Sequence, residues 1–359
     1  MGTRFDAGIT MLLSFLFFSA CVKDKPSTGK ANNGHTQSPK LLVANEGAYG
    51  NGNASLSYID LEKAEVNNYV YQNANGRPLG DVLQSLNIYR DKIYLIVNNS
   101  NKIVVLSKKD FKQSAEIAVS QPRYMCILDE RRALVTSMYR GKIHLIDLER
   151  DEIIQTIDFP FANSEGMWRQ GNSVFICPWD VNSQAIYRYD IPAAAIIDSI
   201  SLGVKAPLQI VEDKNSKLWV LSGNPQRNIQ AHLTQINSSD GAIVKQMAFP
   251  ATAEVIKPVM NLTKDTLYFL GVNYNAQASE YNGVFGMSIE DNTVPVAPII
   301  PAQHLQYFWS VGVNPKTGNL FVADPKGFIQ SGQVMEYTTG GTLLNTYTVG
   351  LGPGYFLFE

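Results

Sequence analysis

The sequence predicts an all-β chain folded as a seven-bladed β-propeller that is closed by its own C-terminal strand. Three observations lead there. A unit of short apolar runs recurs seven times, at a spacing of roughly 40 to 50 residues, the length of one four-stranded blade. The first unit lacks the run that precedes each of the others, and a spare run, GPGYFLFE at 352–359, stands at the chain end. Helical periodicity is nearly absent, with IPAAAIID at 191–198 reading as one helical turn at most.

Each unit opens on a run that follows a polar turn: KLLVANEG at 40, DKIYLIVNN at 91, RRALVTSMY at 131, NSVFICPWD at 172, SKLWVLSGN at 216, DTLYFLGVN at 265 and GNLFVADPK at 318. A second run follows each, such as KIVVLSKKD at 102 and KIHLIDLER at 142, and most units add a third, such as IIQTIDF at 153. The strand entering each blade comes before the opening run: LQSLNIY, PRYMCIL, EGMWRQ, PLQIVED, KPVMNLT and FWSVGVN. Only six of these exist, so the C-terminal run is assigned to the blade that begins at Lys40. Phe356 is thereby expected beside the opening run of that blade, which removes the free edge an open sheet would expose.

Residues 1–20 read as a signal peptide. Arg4 precedes an apolar run from Ile9 to Phe18 that is too short to span a membrane. Ser19 and Ala20 before Cys21 resemble a bacterial lipobox, which implies lipidation of Cys21 and a membrane anchor that does not span. Residues 21–39, rich in Pro, Gly, Ser, Asn and Lys, read as a flexible tether. Their start, CVKDK, resembles the signal that sends Bacteroidetes lipoproteins to the outer face of the outer membrane. Residues 40–359 form the propeller.

A net charge of −2 gives no basic field for nucleic acid. Cys126 and Cys177 lie within apolar runs and read as buried free thiols. No G-x-S-x-G elbow, H-E-x-x-H or metal-ligand spacing is present, and the four histidines are scattered. The chain therefore reads as a binder and not an enzyme, with no cofactor. A carboxylate pair, Glu46 and Glu165 on one rim, keeps a propeller hydrolase or lyase open as the least favoured alternative.

In a propeller the loops between second and third strands share one rim with the loops that enter each blade. That rim is rich in aromatics, amides and arginines: Tyr49, Asn51, Asn53, Arg77, Asn98, Arg123, Tyr124, Tyr139, Arg140, Trp168, Trp179, Asn224, Arg227, Tyr274 and Trp309. Rigid aromatics among amide and guanidinium donors suit a large polar ligand. The turns of the opposite rim, such as LEKAE, KKDFK and LERDE, are ordinary charged turns. In the glycine-rich loop 46–54, Gly47, Gly50 and Gly52 are expected to fold the chain over the first rim, so that Tyr49, Asn51 and Asn53 face a ligand.

The stretch NEGAYGNGNASLSYID at 45–60 is closely similar to the opening blade of propeller lipoproteins in Bacteroidetes. The organisation after the tether resembles the YncE-like and surface-layer propellers. One branch of that group, the surface cobalamin-capture propellers (BtuG type), sits over a TonB-dependent outer-membrane transporter. The resemblance implies a cell-surface lipoprotein that hands a large polar ligand, cobalamin first among candidates, to such a transporter. A glycan would use the same amides and aromatics, and a protein-interaction scaffold is the further alternative.

Overall fold

The computed structural model describes residues 40–273 and 281–359; the expected signal peptide, Cys21, the expected tether and Tyr274 lie outside them. Among the described residues the strands form seven four-stranded antiparallel sheets. In the first, Lys40–Asn45 lies between Ser55–Asp60 and the C-terminal strand Pro353–Phe358, with Val43 opposite Phe356. The first and last of the described strands thus close the ring as the missing entry strand requires.

The inner strands are Pro353–Phe358, Leu83–Tyr89, Pro122–Ile127, Met167–Gln170, Pro207–Glu212, Glu254–Met260 and Ser310–Val313, for blades 1 to 7 in turn. They pack side by side around the axis, and side chains tie neighbouring ones together. Ser85 Oγ donates to Arg123 O (2.7 Å), Asn87 Nδ2 to Met125 O (2.8 Å) and Lys257 N to Gln209 Oε1 (2.9 Å).

The second and third strands of a blade are covered on both faces by the neighbouring blades. Lys92–Val97, KIYLIV, is therefore apolar almost without interruption and buried after its first residue. The outer strands meet water, and Gln113–Ala118, QSAEIA, alternates accordingly. Among the described residues the core is seven apolar layers, one in each gap between blades. Phe321, Val334, Leu41 and Val43 fill the gap where blade 7 meets blade 1. Trp219 and Phe269 fill that between blades 5 and 6. Cys126 and Cys177 are both free, and burial raises both thiols, Cys126 to about 11.

The segment 191–198 forms a turn running into the outer strand Ala195–Ser201. Among the described residues the α-helix is instead Val70–Asn75, within the connection expected to be a loop. Its signals were local: Gly76, left-handed at φ 64°, stops it, and Pro78 follows. Tyr71 is buried, and Asn75 receives the Gln113 N–H (2.8 Å), so the helix covers the flank beside a three-residue outer strand, Glu65–Asn67.

Candidate functional site

The loop after Asn45 turns back on itself as its glycines require. Gly47 has φ +80°, and a side chain there would collide with Asn53 Oδ1 and the Ala54 backbone. Asn53 Oδ1 accepts from Ala48 N (2.8 Å), and Gly50 N donates to Asp81 Oδ2 (2.9 Å). The Asn53 oxygen therefore holds the loop's own shape. Tyr49, 80% exposed, stands at the tip with Asn51. At its base the loop sends Glu46 inward, where Oε1 accepts the indole N–H of Trp309 (2.9 Å).

Four of the expected residues meet in one cleft. Tyr139, Trp179, Asn224 and Arg227 line a hollow of about 490 Å³ with Asn163, Gln226 and Glu254, and its floor includes Leu208 and Ile256 from the inner strands of blades 5 and 6. Tyr139 is 60% exposed. It has φ +58°, and its N–H donates to Asn163 Oδ1 (3.0 Å). Trp179 has φ +37°. Its backbone N–H donates to Pro207 O (2.7 Å) and its indole N–H to Gly223 O (3.3 Å). Gly223 is needed there, since a Cβ would overlap Ala231. These bonds fix the aromatic ring on a stiff scaffold, which keeps the ordering cost of binding low.

A second polar assembly occupies the axial channel below the same rim. Every blade contributes to it: Glu46, Gln84, Arg123, Glu165, Gln209, Lys257 and Trp309, in blade order, with Tyr124 and Tyr355. Arg123 Nε lies 2.9 Å from Glu165 Oε1 and 3.0 Å from Oε2, and its Nη1 donates to Gln84 Oε1. Lys257 Nζ donates to Gly354 O (2.9 Å). Burial pushes Glu46 and Glu165 above the usual carboxylate range, against the pull of Lys257 and Arg123. Burial draws Lys257 below the usual lysine value, opposed by Glu46.

The inner strands are irregular at this level. Strand register shifts at Gln84, at Arg123 and Tyr124, at Leu208, and at Lys257 and Pro258, and opposite the 44/45 step at Gly354. Such bulges re-aim side chains, and here they turn Arg123 and Lys257 toward the axis. Gly354 lacks a side chain because a Cβ would overlap the Glu46 carboxylate.

The remaining expected residues are placed elsewhere or are already engaged. Arg77 sits on the outer flank, bonded to Tyr71 Oη (3.2 Å) and Gln113 Oε1 (2.7 Å). Asn98 is buried and donates to Pro122 O (3.0 Å), linking blade 2 to blade 3. Arg140 is exposed on the rim and bonds Ser120 Oγ (2.8 Å). Trp168 departs most from expectation. It packs against the apolar layer between blades 4 and 5, with Lys264 of an opposite-rim turn over its ring at 5.8 Å. Arg123, Tyr124 and Trp309 belong to the axial assembly and not to the cleft. The sequence reading missed Gln84, Gln209, Lys257 and Tyr355. The available signal was a polar residue near the start of four of the entry strands, in LQSL, PRYM, PLQI and IKPV.

A family model described as a domain of unknown function, DUF5074, matches residues 40–348. A search of curated proteins finds no match. Among solved structures, a quinoprotein alcohol dehydrogenase-like protein from Bacteroides thetaiotaomicron superposes with a TM-score of 0.68 at 18% identity, covering 89% of this chain and 78% of that one. A Bacteroides fragilis protein provisionally named a 6-phosphogluconolactonase gives 0.65 at 13%, covering 93% and 100%. Virginiamycin B lyase from Staphylococcus aureus gives 0.57 at 13%, covering 74% and 83%. At these identities the likenesses establish the fold alone.

Proposed function

This chain belongs to the DUF5074 family, and we propose that it is a surface lipoprotein that captures a large polar ligand on its first rim. The observation that carries the reading is the convergence of Tyr139, Trp179, Asn224 and Arg227 in one preformed cleft. Aromatic faces with amide and guanidinium groups beside them grip a polar, hydrogen-bonding molecule.

Cobalamin is the leading candidate, on the resemblance of the opening blade to the capture propellers. A corrinoid presents amide side chains around a flat ring and would lie across the rim from the cleft toward Tyr49. Calorimetry of the chain from Ser38 onward against cyanocobalamin tests this. A ligand sharing this many contacts binds with sub-micromolar affinity, beyond about 8 kcal/mol; no heat at micromolar protein removes cobalamin. One observation favours a glycan as the second reading. A hollow of 490 Å³ walled by Tyr139 and Trp179 suits one or two sugar rings stacked on an aromatic face. An oligosaccharide array on the same protein separates the two.

Cys21 supplies the lipid anchor in this reading, and a TonB-dependent outer-membrane transporter receives the ligand. Cys21→Ala is expected to release the protein from the membrane fraction. Detergent extracts that yield no barrel partner, with or without ligand, would rule out the transporter.

A further inference from the structure

We propose that the mouth of the axial channel is a binding site for an anionic, acceptor-rich group, a carboxylate or a phosphate, seated between Lys257 and Arg123 with Tyr124 and Tyr355 beside it. The inference rests on the capture reading only in taking this anion as part of the larger ligand.

The site is built at a cost that filling a channel does not require. Lys257 is left-handed at φ +56° before Pro258, a backbone that recurs at Gln121 before Pro122 and Ala206 before Pro207 where inner strands begin; here it places a lysine beside Gly354 O. Replacing buried ion pairs by apolar side chains is often neutral or stabilising, so stability alone does not call for two cations and two carboxylates here.

The arrangement of the charges selects the sign of the ligand. Glu165 is fully buried behind Arg123, while the Arg123 side chain is 15% exposed. Lys257, Tyr124 and Tyr355 also keep part of their surface. The Arg123 guanidinium carbon lies 5.8 Å from the Tyr124 ring, and Lys257 Nζ lies 6.0 Å from the Tyr355 ring. Lys257 commits one N–H to Gly354 O, which leaves an ammonium with further donors over the Tyr355 ring. Glu46, held by Trp309, is the acceptor that competes with an incoming anion. An anion beside it raises its proton affinity, so binding is accompanied by proton uptake.

The test titrates the chain from Ser38 onward with inorganic phosphate and, separately, with acetate. Heat is measured in two buffers of different ionisation enthalpy. The expected result is one saturable site at about millimolar affinity for at least one of the two anions, with a buffer-dependent heat that reports proton uptake. The stronger of the two identifies the group. Lys257→Gln should weaken binding by about ten-fold or more, and Tyr355→Phe by several-fold. Thermal melts confirm that each variant is folded, and Tyr355→Phe serves if Lys257→Gln is not. No saturable heat from either anion overturns the proposal, as does binding that both variants leave unchanged. Cyanocobalamin binding lost on Trp179→Ala while phosphate binding persists would separate the two sites.

Discussion

Trp309 of blade 7 donates its indole N–H to the carboxylate of Glu46 of blade 1 across 2.9 Å, although the two are 263 positions apart in sequence. The bond spans the gap where the ring closes, and it holds a buried carboxylate at the axis. Trp309→Phe keeps an aromatic side chain and removes the donor. A buried acceptor left without its partner costs about 1–3 kcal/mol. The midpoint of chemical denaturation should fall accordingly, and Glu46→Gln in the same background should recover part of the loss.

Gly354→Ala tests the same carboxylate from the other side. The added Cβ would overlap Glu46 Oε1 and must expel it from the channel. A loss of about 1–3 kcal/mol is expected, together with altered emission from Trp309. A melt identical to wild type would show that Glu46 does not occupy this place.

The pH dependence follows from the direction of each shift. Glu46 and Glu165 hold their protons more tightly folded than unfolded. Their contribution to stability is therefore greatest at acid pH and is lost as pH rises from the ordinary carboxylate range through the raised values. Lys257 acts oppositely: its folded pKa is depressed, so stability rises as pH climbs through it toward the ordinary lysine range. Denaturation midpoints from about pH 4 to 8 should fall less steeply in Glu46→Gln than in wild type. Superimposable curves would contradict the assignment.

Trp168→Ala separates core from rim. The ring packs in the layer between blades 4 and 5 under Lys264. The substitution is expected to cost about 1–3 kcal/mol and to leave ligand affinity unchanged. A folded variant that loses ligand would place the binding surface at the opposite rim.

The fold was legible because a propeller writes itself as repetition. Seven runs needed seven partners, six were found, and the pairing of Val43 with Phe356 supplied the last. The rim was legible by the same rule, since loop membership follows from strand order. The direction of each side chain was not. Arg123 and Lys257 turn to the axis through bulges whose register depends on a partner strand. Trp168 lies on the same kind of strand without the bulge and packs away from the rim. Asn53 and Asn98 read as ligand groups because their composition is that of a binding loop, whereas their amides complete turns and blade contacts. The helix Val70–Asn75 was obscured by an asparagine-rich sequence with no apolar stripe.

Trp179 is its own reporter for the capture of a ligand, because its ring forms a wall of the cleft while Trp219 is fully buried and Trp168 and Trp309 lie elsewhere. The most direct measurement is a fluorescence titration of the chain from Ser38 onward with cyanocobalamin, corrected for its absorbance, and with an oligosaccharide panel. It is run beside Trp179→Phe and the double variant Tyr139→Ala/Arg227→Ala. The expected result is a saturable change with one ligand class at sub-micromolar affinity, beyond about 8 kcal/mol, strongly reduced in Trp179→Phe and weakened at least about ten-fold in the double variant. A saturable change of equal affinity in all three proteins would contradict the cleft as the site of capture.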